Sequence, residues 1–281
     1  MTVLPKNRRR GIIKVDIIDL VLKNGAAFVL VLVRVGACFA ALPVLSGRGT
    51  PIMVKALVVV AMSFVLFPMI KMDHPVTESL SADPFLFAAG MLMELFLGML
   101  IGLGARLIFA GVQTGAEMMG IQMGFGVANL FDPTLNEQVA LIAQLQTLMA
   151  ALIFFVVNGH HTLVRAAVHS FDLIPPLSFY PSGPVTSHLI RMGSEMFILG
   201  LKISIPVTVV LLLTNVALGI LSRVVPQINV LFFSFPLTIS IGLLMVGASL
   251  SLTAGLIENR VNALPVAIFD FMQGMAPRPT R

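Results

Sequence analysis

Three histidines lie near one another in the middle of the chain, and imidazole is a common ligand for metal ions. His160 and His161 are adjacent, and His169 follows them. Adjacent residues of a helix point to different faces, so the pair does not by itself build a metal site. Asn158-Gly159 before them is typical of a helix end. We therefore expect a polar loop at the end of a membrane segment and no bound metal.

Three charged residues interrupt one apolar stretch: Glu94, Arg106 and Glu117. A charge inside a membrane segment marks a transport site or pairs with another segment. On a helix, Arg106 and Glu117 share a face but lie about 16 Å apart, and Glu94 points elsewhere. We interpret the three as assembly charges that form ion pairs between subunits. A solute-transport site is the alternative.

No enzymatic motif accompanies these residues. Gly124-Phe125-Gly126 lacks the third glycine of a dinucleotide loop, and no strand pattern precedes it. The sequence holds no metalloprotease helix and no nucleophile elbow. We expect a protein that is not an enzyme and takes no cofactor.

The elements that carry these residues are apolar throughout. The chain has 281 residues, of which 57% are hydrophobic and 11% charged. A soluble domain carries about 25% charged residues, and a spanning helix needs about 20 apolar residues in a row. The sequence therefore predicts an all-α integral membrane protein of five to seven segments.

Three regions follow from the charge distribution: a basic tail (1–16), a multi-helix membrane domain (17–257) and a C-terminal tail (258–281). The basic tail lacks stacking aromatics, so it predicts contact with anionic membrane lipid and not with nucleic acid. Loop charges conflict over orientation, which leaves the topology open.

The charged segment also carries two stripes of small residues. One consists of Glu94, Gly98, Gly102 and Ala105, and the other of Gly104, Gly111 and Gly115. Small residues let helix backbones approach closely. Two stripes on different sides predict neighbouring helices on two sides.

The last uncharged block, residues 224–257, is about 51 Å long as one helix and exceeds the hydrocarbon core. Pro226 and Pro236 each remove a backbone donor, and Gln227 and Asn229 add polar groups beside the first proline. These four residues predict a helix–break–helix hairpin.

From residue 115 onward the sequence resembles the FliR family of export proteins. The resemblance is carried by the following motifs: Gly115-Ala116-Glu117, residues 120–125, Asp132-Pro133, residues 154–161, Ser170-Phe171, Ile174-Pro175, residues 215–219, Arg223, Pro226-Gln227, Asn229-Val230 and Phe235-Pro236. Arg34, Pro43 and Pro51 match the N-terminal pattern more loosely. The basic extension before Val15 departs from the family.

The resemblance implies a FliP-like part fused to a FliQ-like hairpin. It further implies a helical gate built with FliP-like and FliQ-like subunits, joined by a FlhB-like subunit, through which unfolded export substrates pass. The gate would lie in the bacterial inner membrane at the base of the flagellar basal body. A virulence secretion system is the alternative setting; a small-solute transporter and a purely structural scaffold are rival functions.

The resemblance also implies a loop that plugs the pore, at about residues 119–136. Glycine and methionine are dense there, which suits a soft seal that must deform. The expected plug residues are Gly120, Gln122, Met123, Gly124, Phe125, Asn129, Asp132 and Pro133.

Overall fold

The computed structural model describes residues 24–42, 51–70, 83–125, 137–176, 178, 183–227 and 230–275. Within these ranges the chain is helical and contains no strand, so the predicted all-α class is confirmed. The described helices are α1 (Gly25–Ala40), α2 (Ile52–Leu66), α3 (Pro84–Gln122), α4 (Glu137–Val156), α5 (Gly159–Leu173), α6 (Gly183–Val224) and α7 (Val230–Met275).

Four of the described helices are long and apolar enough to cross a membrane: α2 with the 3₁₀ turn that follows it, α3, α6 and α7. Helices α4 and α5 make a fifth span only if the bent pair is counted as one. The sequence predicts five to seven spans, so the described helices reach only the lower bound. Helix α1, with 16 residues, is a shorter apolar helix and is not counted among these spans.

Helix α3 is the centre of the fold, and its two glycine stripes contact two different neighbours. Gly98 and Gly102 lie against the backbone of α1, and a Cβ added to Gly102 would lie 2.5 Å from the Cys38 carbonyl oxygen. On the other side, a Cβ added to Gly115 would lie 2.6 Å from the Gly200 carbonyl oxygen in α6. The predicted neighbours on two sides are confirmed, and both belong to this chain.

A sharp bend joins α4 to α5. Asn158 adopts a left-handed backbone with φ of 60°, a conformation that asparagine tolerates better than most residues. The helix axes turn by 66° there. The predicted helix end at Asn158 is confirmed, but the polar loop expected for His160 and His161 is wrong. Both histidines lie in the first turn of α5, because the chain resumes a helix directly at Gly159.

Helices α6 and α7 form a long hairpin. Residues 225–227 are non-helical and include Pro226 and Gln227. A second break at Pro236 is wrong, since this proline lies inside α7. Proline removes one backbone hydrogen bond there, and the same part of α7 is tied to α3, since Thr238 donates its hydroxyl to the Met123 carbonyl oxygen. The hairpin arms are therefore α6 and α7, not two halves of residues 224–257.

Helix α7 also passes the boundary predicted at residue 257 and continues to Met275. Proline occurs inside it again at Pro265. The basic tail over residues 1–16 lies outside the described residues, as do residues 276–281.

Candidate functional site

A buried ion pair joins α1 to the first half of α3. The side chains of Arg34 and Glu94 are both fully excluded from solvent. The Arg34 guanidinium is bidentate on the carboxylate: Nε donates to Oε2, and Nη2 donates to Oε1 at 2.8 Å. Charge-assisted bidentate pairs of this kind are stronger than hydrogen bonds between neutral side chains.

Helix α5 completes the surroundings of the guanidinium. Nη1 donates to the Ser170 hydroxyl at 3.1 Å, and Nη2 donates to the Ile174 carbonyl oxygen at 3.0 Å. The Phe171 ring lies over the guanidinium carbon, 3.9 Å from it. Arg34, Glu94, Ser170, Phe171 and Ile174 are hereafter the arginine cluster. It ties together three helices that are far apart in sequence.

The arginine cluster changes the interpretation of Glu94. An ion pair between subunits was expected, whereas the structure pairs Glu94 within the chain. Every group around it is buried, so no solute reaches the carboxylate. The sequence did contain a signal, since Arg34 is a lone positive charge in an apolar segment and must find an anion.

Arg106 and Glu117 lie apart from the cluster and from each other. The Arg106 side chain is exposed, and Glu117 is half-buried and accepts a hydrogen bond from Gln113 Nε2 at 2.9 Å. Neither side chain forms an ion pair within the described part of the chain. The three charges of α3 therefore do not converge on one site.

A second ion pair, missed by the sequence analysis, links the arms of the α6–α7 hairpin. Arg260 Nη1 lies 3.1 Å from Glu195 Oε2, and Arg191 lies one turn from the same carboxylate at 4.0 Å. The pair was missed because its partners are 65 residues apart. It links the two arms well away from the turn that joins them.

The end of α3 is held against the start of α7. Met123 is fully buried, and its carbonyl oxygen accepts the Thr238 hydroxyl at 3.0 Å. Gly124 adopts a φ of 95°, which favours glycine, and a Cβ there would lie 3.0 Å from the Phe235 ring. A Cβ on Gly242 would meet the Met123 side chain at 2.5 Å. The chain thus leaves α3 through a tightly packed turn.

Of the other expected plug residues, three lie within the described part of the chain and three lie outside it. Gly120 and Gln122 are helical, so the expected loop over residues 119–136 begins as the last turn of α3. Phe125 is half-buried. Asn129, Asp132 and Pro133 lie outside the described residues.

At the hairpin break, Pro226 and Gln227 are exposed, and Asn229 lies outside the described residues. No group of three or more His, Cys, Asp or Glu side chains that could hold a metal occurs within the described ranges. The rings of His160 and His161 instead pack against each other, with centroids 4.2 Å apart.

These features define an α-helical integral membrane protein built around one glycine-rich helix, with a sealed ion pair on one side and a long hairpin on the other. The family model named Bacterial export proteins, family 1 matches residues 26–264, and the chain belongs to that family.

The relatives agree with the family. The chain is 31% identical to the flagellar biosynthetic protein FliR of Escherichia coli over 81% of this chain and 85% of the relative. It is 31% identical to FliR of Bacillus subtilis over 83% of this chain and 89% of the relative. FliR of Pectobacterium carotovorum is 32% identical over 64% of this chain and 70% of its own length. The resemblance to the FliR family is confirmed.

Proposed function

We propose that this chain is the FliR-type subunit of a flagellar type III export gate. The family match over residues 26–264 carries the proposal, and the relatives' shared name supports the flagellar setting over a virulence system. The gate lies in the bacterial inner membrane at the base of the flagellar basal body. Its partners are FliP-like and FliQ-like subunits and a FlhB-like subunit.

The proposed mechanism is passive. Unfolded substrates cross through a pore that this chain helps to build, while other components supply energy and select substrates. In this proposal, helices α1 to α5 are the FliP-like part and the α6–α7 hairpin is the FliQ-like part. The apolar faces support packing in an assembly or in lipid: in α3, α6 and α7 most residues of the apolar spanning window are not buried within the chain.

The segment after α3 is the proposed plug. Two observations support a movable seal at this place: Gly124 adopts a left-handed backbone, and Phe125 is only half-buried, where α3 ends. Apolar side chains exclude ions from an idle pore. Glycine at a turn makes the backbone inexpensive to rearrange when a substrate arrives.

Arg106 and Glu117 are proposed as assembly charges. Their side chains lack an ionic partner within the described part of the chain, and a charge in an apolar segment calls for one. No comparable observation supports a small-solute transporter, because Glu94 is buried inside the arginine cluster.

The deciding experiment is co-purification together with pore leakage. In a strain lacking the chain, the tagged wild type should recover FliP-like and FliQ-like subunits and restore export. Phe125→Ala should leave the complex assembled but permeable to ions and dyes, because it removes apolar bulk from the seal and leaves the buried Met123 in place.

Two outcomes would contradict this proposal. Purification of the chain without either partner would remove the gate assignment. An assembled Phe125→Ala complex that is as ion-tight as the wild type would show that another element closes the pore.

A further inference from the structure

A pocket of about 380 Å³ opens between α5 and the C-terminal part of α7. Its apolar wall includes Val266, Phe269 and Met272 of α7, and its polar side includes Arg165 and His169 of α5. Val266 is 65% exposed and Phe269 is 45% exposed, so the wall is open on its outer side. Sites for small molecules bury about 70–90% of the ligand's surface. This pocket therefore suits part of a larger molecule better than a small ligand.

The polar side of the pocket carries a positive charge that the chain does not balance there. Arg165 is exposed, and no ion pair engages its guanidinium within the described ranges. The Asp172 carboxylate is directed to His169, with Oδ2 3.6 Å from Nδ1. Among the described residues, no Asp or Glu lines the pocket. A carboxylate from another molecule would supply the complementary charge.

The pocket lies outside the part of the hairpin that suits lipid. Residues 203–222 of α6 are uncharged over about 30 Å, the thickness of a hydrocarbon core. At Gly104, the side chain of Met192 from α6 meets that of Ile268 from α7, so the pocket is level with residue 192. This level is about 16 Å beyond the uncharged stretch, whereas a headgroup layer is about 5–8 Å thick. Lipid therefore does not cover the apolar wall, and protein is the remaining apolar cover.

From these observations we infer that the α5–α7 pocket receives a segment of a neighbouring subunit that presents a carboxylate beside a large apolar side chain. The carboxylate accepts hydrogen bonds from Arg165, whose planar guanidinium fits a carboxylate. The apolar side chain packs on Val266 and Phe269 and removes their exposed surface from water. Side chains anchored in such pockets carry much of the binding energy of protein interfaces. This inference rests on the proposed function in requiring an assembly, but it does not depend on which subunit is the neighbour.

The test is a zero-length cross-link in the complete complex, purified after co-expression with FliP-like, FliQ-like and FlhB-like subunits. Arg165→Lys keeps the positive charge and adds a primary amine, which a carbodiimide joins to a contacting carboxylate as an amide. Mass spectrometry of the digested complex should show a link from position 165 to an Asp or Glu of another subunit, next to a large apolar residue. The wild type should lack this link, because a guanidinium does not couple. Arg223→Lys, at an exposed arginine near the other end of α6, is the matched control and should not reach the same carboxylate.

A second variant tests whether the segment occupies the pocket itself. Val266→Phe, combined with Arg165→Lys, should lower the yield of the link about fivefold, because the added ring takes the space of the incoming side chain. Val266 is 65% exposed, so the larger ring requires no repacking of the core. Val224→Phe, at an exposed valine far from the pocket, should leave the yield unchanged.

Three results would overturn the inference. Links from position 165 confined to carboxylates of this chain, such as Asp172 or Asp270, would show that the chain balances its own charge. An intact complex with no link at position 165 would show that the pocket stays open to water. An unchanged yield with Val266→Phe would place the carboxylate outside the pocket. Each of these leaves the gate assignment standing, whereas a chain that co-purifies with no other subunit would contradict both.

Discussion

At the scale of single residues, the arginine cluster makes the largest identifiable contribution to how the helices are held together. A buried ion pair is rarely a large net gain over apolar side chains, but removing one partner strands the other charge. Here the stranded group would be enclosed by Phe171 and the backbone of α5, with no route to water. The cluster therefore specifies how α1, α3 and α5 meet.

Arg34→Met should lower the free energy of unfolding by about 3–5 kcal/mol, because Glu94 then has no partner. The double variant Arg34→Met, Glu94→Leu should recover most of this loss. Thermal unfolding of the purified assembly, with Arg223→Gln as the control, measures both. A double variant as unstable as the single one would show that packing, not charge, is what Arg34 contributes.

Gly124 is the second residue whose replacement should have a measurable effect on export. Valine at a positive φ costs about 1–3 kcal/mol, and its side chain would press on Phe235. In Gly124→Val, export should be slowed while the complex still assembles. Secretion rate and complex recovery check this, with Gly219→Val as the control because a Cβ there meets nothing within 4 Å. Wild-type secretion would contradict a movable turn.

At the scale of elements, the sequence predicted features whose signal lies within one helix and missed contacts between residues far apart in the chain. The neighbours of α3 on two sides were predictable from the spacing of small residues along one helix. The partner of Glu94 was not, because Arg34 lies 60 residues away. Pro236 was misjudged for a related reason: contacts of Thr238 and Phe235 with the end of α3 override the local preference of proline. The turn at Asn158 was predicted, but the helix that resumes after it was not.

The contact between α3 and α6 gives a prediction at this scale. Gly115→Val should separate the two helices, because its Cβ would collide with the backbone of Gly200, which cannot move as a side chain can. We expect a marked loss of folded chain in the membrane. Gly193→Val, in the same helix as Gly200 but with nothing within 4 Å of its Cβ, should be tolerated far better. Protease resistance in membranes separates the two outcomes.

At the scale of the whole molecule, the chain exposes a large apolar surface. Helix α2 is the extreme case, with only 17% of its spanning window buried. Monomeric soluble proteins rarely expose so much contiguous apolar surface. Lipid, other subunits or both must cover it.

Arg106 and Glu117 have no ionic partner within the described part of the chain, so we predict that the chain is stable only within an assembly. Expressed alone and extracted in detergent, it should aggregate or be degraded, whereas co-expression with FliP-like and FliQ-like subunits should give a monodisperse complex. Size-exclusion chromatography and thermal unfolding of both samples make the comparison. A stable monomer in detergent would refute this prediction.

The arginine cluster also sets an order of events during synthesis. Arg34 leaves the ribosome 60 residues before Glu94 and 136 before Ser170. At about 5–20 residues per second, the carboxylate follows the guanidinium by roughly 3–12 s. Throughout that interval, α1 carries a charge whose partner does not yet exist. Stable burial of α1 must await α3, so the first of the described helices to be made reaches its final place only after a later one.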